Sequence, residues 1–213
     1  IHKGLKPLKG RPIVSADNSH TEKISKFVDH FLNPCSKLGQ SYIKDTTHFP
    51  TILEQMGELP QDSWLVTLDV SSLYTVIPNK EGLHATKEAL HDFRPQPNVK
   101  PSNDSLVQLM EFVLTKNNFQ FNGEHYLQIS GTSMGAKSAP SFAVTYMNKF
   151  EDDFVITYPR QPIIWKRYID DCFRIIEGSR LDVDNFIAYL NNCNPNIQFT
   201  CDISREKVTF LDT

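Results

Sequence analysis

The sequence predicts an α+β fold, helices packed on antiparallel strands, and three observations carry that reading. Apolar residues recur at a helical period, most clearly at Ile24, Phe27, Val28, Phe31 and Leu32. Phe119 to Phe121 and His125 to Ile129 flank Asn122-Gly123, a dipeptide that favours the tight turn of an antiparallel hairpin. Trp64-Leu65-Val66-Thr67-Leu68 is dense in strand formers and stands apart from the helical stretches. Helices mixed with antiparallel strand pairs favour this class over a doubly wound sheet.

Residues 1 to 20 are rich in Pro, Gly and Lys and read as extended loop with a short strand at Pro12 to Ser15. A helix is predicted over Thr21 to Leu38, interrupted near its end by Pro34, and another over Thr46 to Met56, which Gly57 and Pro60 break. The Trp64 strand ends on Asp69. Asn79 to Leu90 reads as helix, Arg94 to Ser102 with its three prolines as loop, and Ser105 to Leu114 as helix again. Beyond the hairpin, a loop with Gly131 and Gly135 leads past Pro140 into a helical stretch ending near Thr157. Ile163 to Ile176 reads as two short strands flanking Asp170-Asp171. Leu181 to Leu190 is helix-like, and Asn196 to Ile203 and Lys207 to Leu211 are closing strands.

The chain has 213 residues, 39% hydrophobic and 22% charged, an ordinary balance for a globular protein. Its apolar runs fall short of the roughly 20 residues of a transmembrane helix and no signal peptide opens it, so a membrane protein is not expected. Because it starts at Ile1 and stops at Thr213 after a strand-like run, a piece of a longer polypeptide is expected. Cys35, Cys172, Cys193 and Cys201 form no C-x-x-C pair, which suits free thiols in a reducing compartment. The net charge of −3 gives a nucleic-acid role no support by itself. Local basic patches remain: Lys3, Lys6, Lys9 and Arg11 crowd the first residues, and Lys166-Arg167 precede two aspartates. The first cluster reads equally well as a solvated basic segment.

Two places set carboxylates where the pattern wants apolar side chains. Asp69 follows a strand and precedes Val70, and Asp170-Asp171 lie between Tyr168-Ile169 and Cys172-Phe173. An ionised carboxylate beside an apolar core costs several kcal/mol, on the order of magnitude known for buried ions, unless something pairs with it. A hairpin turn with both acids in solvent is one solution for Asp170-Asp171. A divalent cation is the other, because two such strands side by side would bring three carboxylates to one point. Mg²⁺ takes few protein carboxylates and leaves room for water and phosphates, and an ion pair so held suits phosphoryl transfer. Gly131-Thr-Ser-Met-Gly135-Ala-Lys-Ser-Ala-Pro140 places two glycines ahead of a helix, where backbone can approach a ligand, although such a loop is more often a plain connection. Its spacing matches neither a P-loop nor a dinucleotide fingerprint.

In order, Arg11-Pro-Ile-Val-Ser15, Leu68-Asp-Val-Ser-Ser-Leu-Tyr74, Gly131 to Pro140 and Arg167-Tyr-Ile-Asp-Asp171 resemble successive motifs of the reverse transcriptase family. The tail Leu73 to Pro78, the Met134-Gly-x-Lys-x-Ala-Pro140 core and the closing Phe210-Leu-Asp212 resemble its Penelope-like retroelement branch, which is related to telomerase. The resemblance implies a right-hand polymerase palm with fingers, an antiparallel palm sheet on helices, and a thumb absent or truncated. It implies fingers mainly over 1–60, palm over 61–78, a fingers or palm insertion over 79–130 and palm again over 131–213. It further implies RNA-directed DNA synthesis from dNTPs on an RNA template and DNA primer, with two Mg²⁺ ions for which Mn²⁺ can substitute. Asp69 and Asp170 would be the main metal ligands, Asp171 a supporting acid, and the Val70 carbonyl a further oxygen. Tyr74 would exclude a 2′-hydroxyl, Arg11 would grip the triphosphate with help from Lys3 or Lys9, and Gly135 would pack near the nascent base pair. Met134 departs from the Gln many relatives carry there. Lys207 matches a general acid for pyrophosphate, but reads more simply as a solvated surface lysine. An endonuclease elsewhere in the polypeptide, cytoplasmic synthesis and a nuclear site of integration are implied too.

Overall fold

The computed structural model describes residues 13–95 and 100–211; Lys3, Lys9 and Arg11 lie outside them. A four-stranded sheet organises the chain. It contains β1 (Ser63–Val70), β4 (Ile164–Tyr168), β5 (Asp171–Glu177) and β6 (Phe199–Ser204), in the order β4-β5-β1-β6 with every neighbouring pair antiparallel. With α6 (Ala139–Phe150) between β1 and β4, and α7 (Arg180–Cys193) between β5 and β6, these strands follow a split β-α-β-β-α-β path. The connection from β1 to α6 carries α3 (Leu73–Val76), α4 (Asn79–Phe93), α5 (Asn103–Thr115) and the hairpin β2 (Asn118–Phe121) to β3 (Glu124–Leu127). Before β1 come α1 (Glu22–Ser36) and α2 (His48–Glu54).

The period-2 alternation of strands gives the sheet two unlike faces. Val66, Leu68 and Val70 of β1 and Cys172 and Ile176 of β5 join the main core with α1, α4, α5, α6 and α7. Leu65, Phe173 and Ile175, on the opposite parity, pack with Ile43, Phe49 and Phe210 in a smaller cluster. The helix at the centre of the main core is α6, whose twelve residues include buried Phe142, Ala143, Val144, Tyr146, Met147 and Phe150. A helix apolar on nearly all sides must be enclosed, and each large side chain so buried contributes roughly 1.5–3 kcal/mol. Its polar positions tie it to α1: Ser138 N–H donates to Ser25 Oγ at 2.9 Å, and Asn33 Nδ2 to Ser141 Oγ at 3.2 Å.

The predicted helices and the Asn-Gly hairpin are present, with shifted ends. The helix α1 passes through Pro34 and stops at Ser36, and α6 gives way at Glu151 to a π-helical turn ending at Val155. Two predicted strands are absent. Of the strand expected at Pro12 to Ser15, Pro12 lies outside the described residues and residues 13–15 form no ladder; instead the Val14 carbonyl accepts from Gly135 N–H at 3.2 Å and from Ser133 Oγ at 2.8 Å. Lys207 to Leu211 is irregular because Phe210 turns inward onto Phe49 and Phe173, with ring centroids 4.7 Å and 5.6 Å apart. There, aromatic burial replaces a hydrogen-bonded ladder. Among the described residues, no helix is long and apolar enough to cross a membrane.

Candidate active site

Pairing register assembles the acidic site. In β1–β5, Asp69 lies opposite Asp171, and Val70 N–H donates across to the Asp170 carbonyl at 3.2 Å. Directly opposed residues of an antiparallel pair project to the same face with Cβ atoms about 4.5–5.5 Å apart. Asp69 and Asp171 therefore share the face opposite α6 and α7. They line one open recess with Thr67, Thr200, Asp202 and Thr209. Asp170 occupies the turn between β4 and β5, so the register sets Asp171, the presumed supporting acid, straight across from Asp69.

That turn is unusual. Ile169, immediately before Asp170, has φ of +57°. A left-handed conformation costs an L-residue roughly 1–2 kcal/mol and is a genuine outlier for a β-branched one. Such strain persists where surrounding contacts over-determine it, and it gathers at functional sites.

Tyr74 lies near Asp170, its side chain half-buried against the cluster of Ala16, Val113, Ala136 and Ala139. Burial first, then the nearby Asp170 and Tyr168, push its hydroxyl up to about 12. Its backbone is fixed from the Gly131 loop: Thr132 N–H donates to the Tyr74 carbonyl at 2.7 Å, and a Cβ on Gly131 (φ +68°) would lie 2.4 Å from that oxygen. Gly135 meets backbone too, since a Cβ there would fall 2.4 Å from the Val14 carbonyl. Both glycines are thus explained by close approach of chain to chain. Lys207 is exposed and lines a separate apolar pocket with Phe49, Met56 and Leu59, away from the recess of the acids.

One residue was misassigned by the sequence. Arg167 is only 2% exposed, so it adds nothing to a basic surface patch. Its Nε donates to Glu151 Oε1 at 2.6 Å, its Nη2 to Asn148 Oδ1 at 2.6 Å, and its Nη1 to the Ile169 carbonyl at 3.1 Å. Burial opposes its charge, but Glu151 outweighs that and pushes the guanidinium up from its ordinary value. The available signal was parity: on β4, Arg167 follows Trp165 by two and shares its inward face.

The residue chemistry suits a hard cation: Asp69 and Asp171, on neighbouring strands, line one open recess, and Asp170 adjoins them in the turn. Among the described residues, no three His, Cys, Asp or Glu side chains make a ready-made cage. Mg²⁺ does not need one when substrate phosphates and water complete its shell.

A family model described as reverse transcriptase (RNA-dependent DNA polymerase) matches residues 1–213. The chain belongs to the reverse transcriptase family. No curated protein sequence matches it. Among solved structures, apo telomerase from Candida tropicalis superposes with a TM-score of 0.67 at 10% identity, over 92% of this chain and 39% of that one. Telomerase from Candida albicans, in complex with the TWJ fragment of telomeric RNA, gives 0.62 at 9% identity, over 92% and 36%. The BmCPV RNA-dependent RNA polymerase in its elongation state gives 0.58 at 10% identity, over 90% and 19%. At these identities the likeness is one of fold, and it establishes the mixed helix and antiparallel-sheet architecture of polymerase palm and fingers. This reverse transcriptase family chain spans less than half of each of those three chains.

Proposed function

We propose that the chain is the catalytic part of an RNA-directed DNA polymerase of a Penelope-like retroelement, joining dNTPs to a DNA primer paired with an RNA template. The observation that carries this reading is the β1–β5 register, which sets Asp69 against Asp171 with Asp170 in the adjoining turn. Asp69, Asp170 and Asp171 would hold two divalent ions, Mg²⁺ by preference, with the Val70 carbonyl as a further ligand. Bound there, the ions would lower the pKa of the primer 3′-hydroxyl and neutralise charge on the departing pyrophosphate. The chain's own groups position the reactants. Tyr74, near Asp170, rejects a 2′-hydroxyl by crowding, which separates this reading from RNA synthesis. Arg11, with Lys3 or Lys9, grips the triphosphate, where the arginine fork matches phosphate oxygens. Gly135 holds its loop against Val14 and so shapes the floor under the nascent base pair.

Primer extension with the full-length protein, an RNA template, Mg²⁺ and labelled nucleotides tests this. Asp69→Asn and Asp170→Asn are expected to lower extension by on the order of a hundredfold or more while template binding persists. Tyr74→Val is expected to raise ribonucleotide incorporation relative to deoxyribonucleotide. If wild type and Asp170→Asn both bound template and neither extended a primer, a nucleic-acid-binding module would replace the polymerase.

A further inference from the structure

We propose that Arg167 is a positioning residue for the metal-binding turn: its buried fork holds the Ile169 carbonyl and thereby fixes where Asp170 points. This rests on the reading of Asp69, Asp170 and Asp171 as cation ligands.

The left-handed Ile169 contains no glycine's freedom, so contacts must hold its conformation. Two hydrogen bonds grasp the turn on either side of the Asp170 side chain. Arg167 Nη1 donates to the Ile169 carbonyl at 3.1 Å, and Val70 N–H donates to the Asp170 carbonyl at 3.2 Å. The second comes from the strand that carries Asp69, so it also sets the two acids relative to each other.

Arg167 can serve as an anchor because its other donors are committed. Glu151 takes Nε at 2.6 Å and Nη2 at 3.3 Å, and Asn148 takes Nη2 at 2.6 Å. These acceptors are themselves oriented. Asn148 Nδ2 donates to the Ser36 carbonyl at 3.0 Å, which turns its oxygen toward Arg167. Glu151 receives Trp165 Nε1 at 2.8 Å and Ser41 Oγ. The turn is thus referred through one planar group to the end of α1, to α6 and to the π-helical turn. A lysine, a point charge with rotatable donors, could keep the attraction to Glu151 but not these fixed directions. A buried ion pair is weak evidence of stabilisation, since well-packed apolar residues often replace one without loss. Its geometry, three anchors on one side and the turn carbonyl on the other, fits positioning better than cohesion.

The test uses the full-length protein with Arg167→Lys and the double variant Arg167→Met/Glu151→Gln, which leaves neither charge buried alone. Thermal melting, Mn²⁺ affinity by electron paramagnetic resonance, and kcat and KM for the dNTP would be measured. Both variants are expected to fold, to lose roughly 10- to 100-fold in Mn²⁺ affinity and in kcat, as removal of supporting groups around a metal does, and to keep KM within about twofold. Unchanged Mn²⁺ affinity and kcat per folded molecule in both would overturn the proposal, as would losses that only track the unfolded fraction. A wild type that bound Mn²⁺ but extended no primer would sink the polymerase reading while the Mn²⁺ comparison still decided the role of Arg167. A wild type that bound no Mn²⁺ would sink both.

Discussion

Tyr74 shows how a single hydroxyl registers its surroundings. Its pKa, pushed up to about 12 by burial and then by Asp170 and Tyr168, exceeds the ordinary value of 10.0. The folded state therefore holds that proton more tightly than the unfolded chain. The resulting stabilisation is complete below pH 10 and disappears as pH rises through about 12. Tyr74→Phe keeps the ring and removes the titration. Its unfolding free energy should accordingly fall less than that of wild type between those two pH values, measured by denaturant titration at a series of alkaline pH. Equal slopes would mean that the phenol is better solvated than the structure indicates. The acids themselves were legible in the sequence because carboxylates interrupting apolar runs demand a reason. Arg167 was not, because its partners Ser41, Asn148 and Glu151 belong to other elements and one sequence does not say which arginine is solvated.

Among the elements, the crossing of α4 and α6 turns on Gly82. A Cβ there would lie 2.2 Å from Phe142 Cζ, a ring that is fully buried. Two effects compete in Gly82→Ala. Helix propensity favours alanine by about 0.8–1 kcal/mol, whereas overpacking a core costs typically about 1–3 kcal/mol. The clash should win, giving a net loss on the order of 1 kcal/mol in denaturant unfolding. Gly82→Ala/Phe142→Leu should recover part of it, and a Gly82→Ala protein more stable than wild type would show that the helices separate freely. Both α4 and α6 were legible as helical stretches, α6 as the run that follows Pro140. Periodicity could not find the π-helical turn after Phe150, which local pattern does not distinguish from more α-helix. It also misread Lys207 to Leu211, where Phe210 leaves the strand line to complete an aromatic cluster built by Phe49 and Phe173.

Across the whole molecule, two buried arginines on adjacent strands have opposite prospects. Arg167 faces Glu151. Arg174 is 0% exposed, its Nε and Nη1 have no hydrogen-bond partner, and it lies over the Phe186 ring at 3.1 Å. No ion pair reaches it among the described residues. Burial pulls its guanidinium down to about 9. A cation–π contact returns about 2 kcal/mol when desolvated, less than the several kcal/mol that an unpaired buried ion costs. Arg174→Met should therefore leave stability unchanged or raise it by roughly 1–3 kcal/mol, whereas Arg167→Met alone should lose about 3–5 kcal/mol by stranding Glu151. Melting temperatures of the two variants decide the contrast, and a similar loss in both would refute it. The two-faced sheet, finally, constrains how this gene can change. Loss of one codon between Trp64 and Asp69 would slip β1 by a residue, turning Leu68 and Val70 outward and driving Asp69 into the helices. Substitutions at single positions there can be absorbed one at a time. Length cannot drift at all, so divergent descendants of this chain should differ in spelling along β1 but keep its count of residues up to the aspartate.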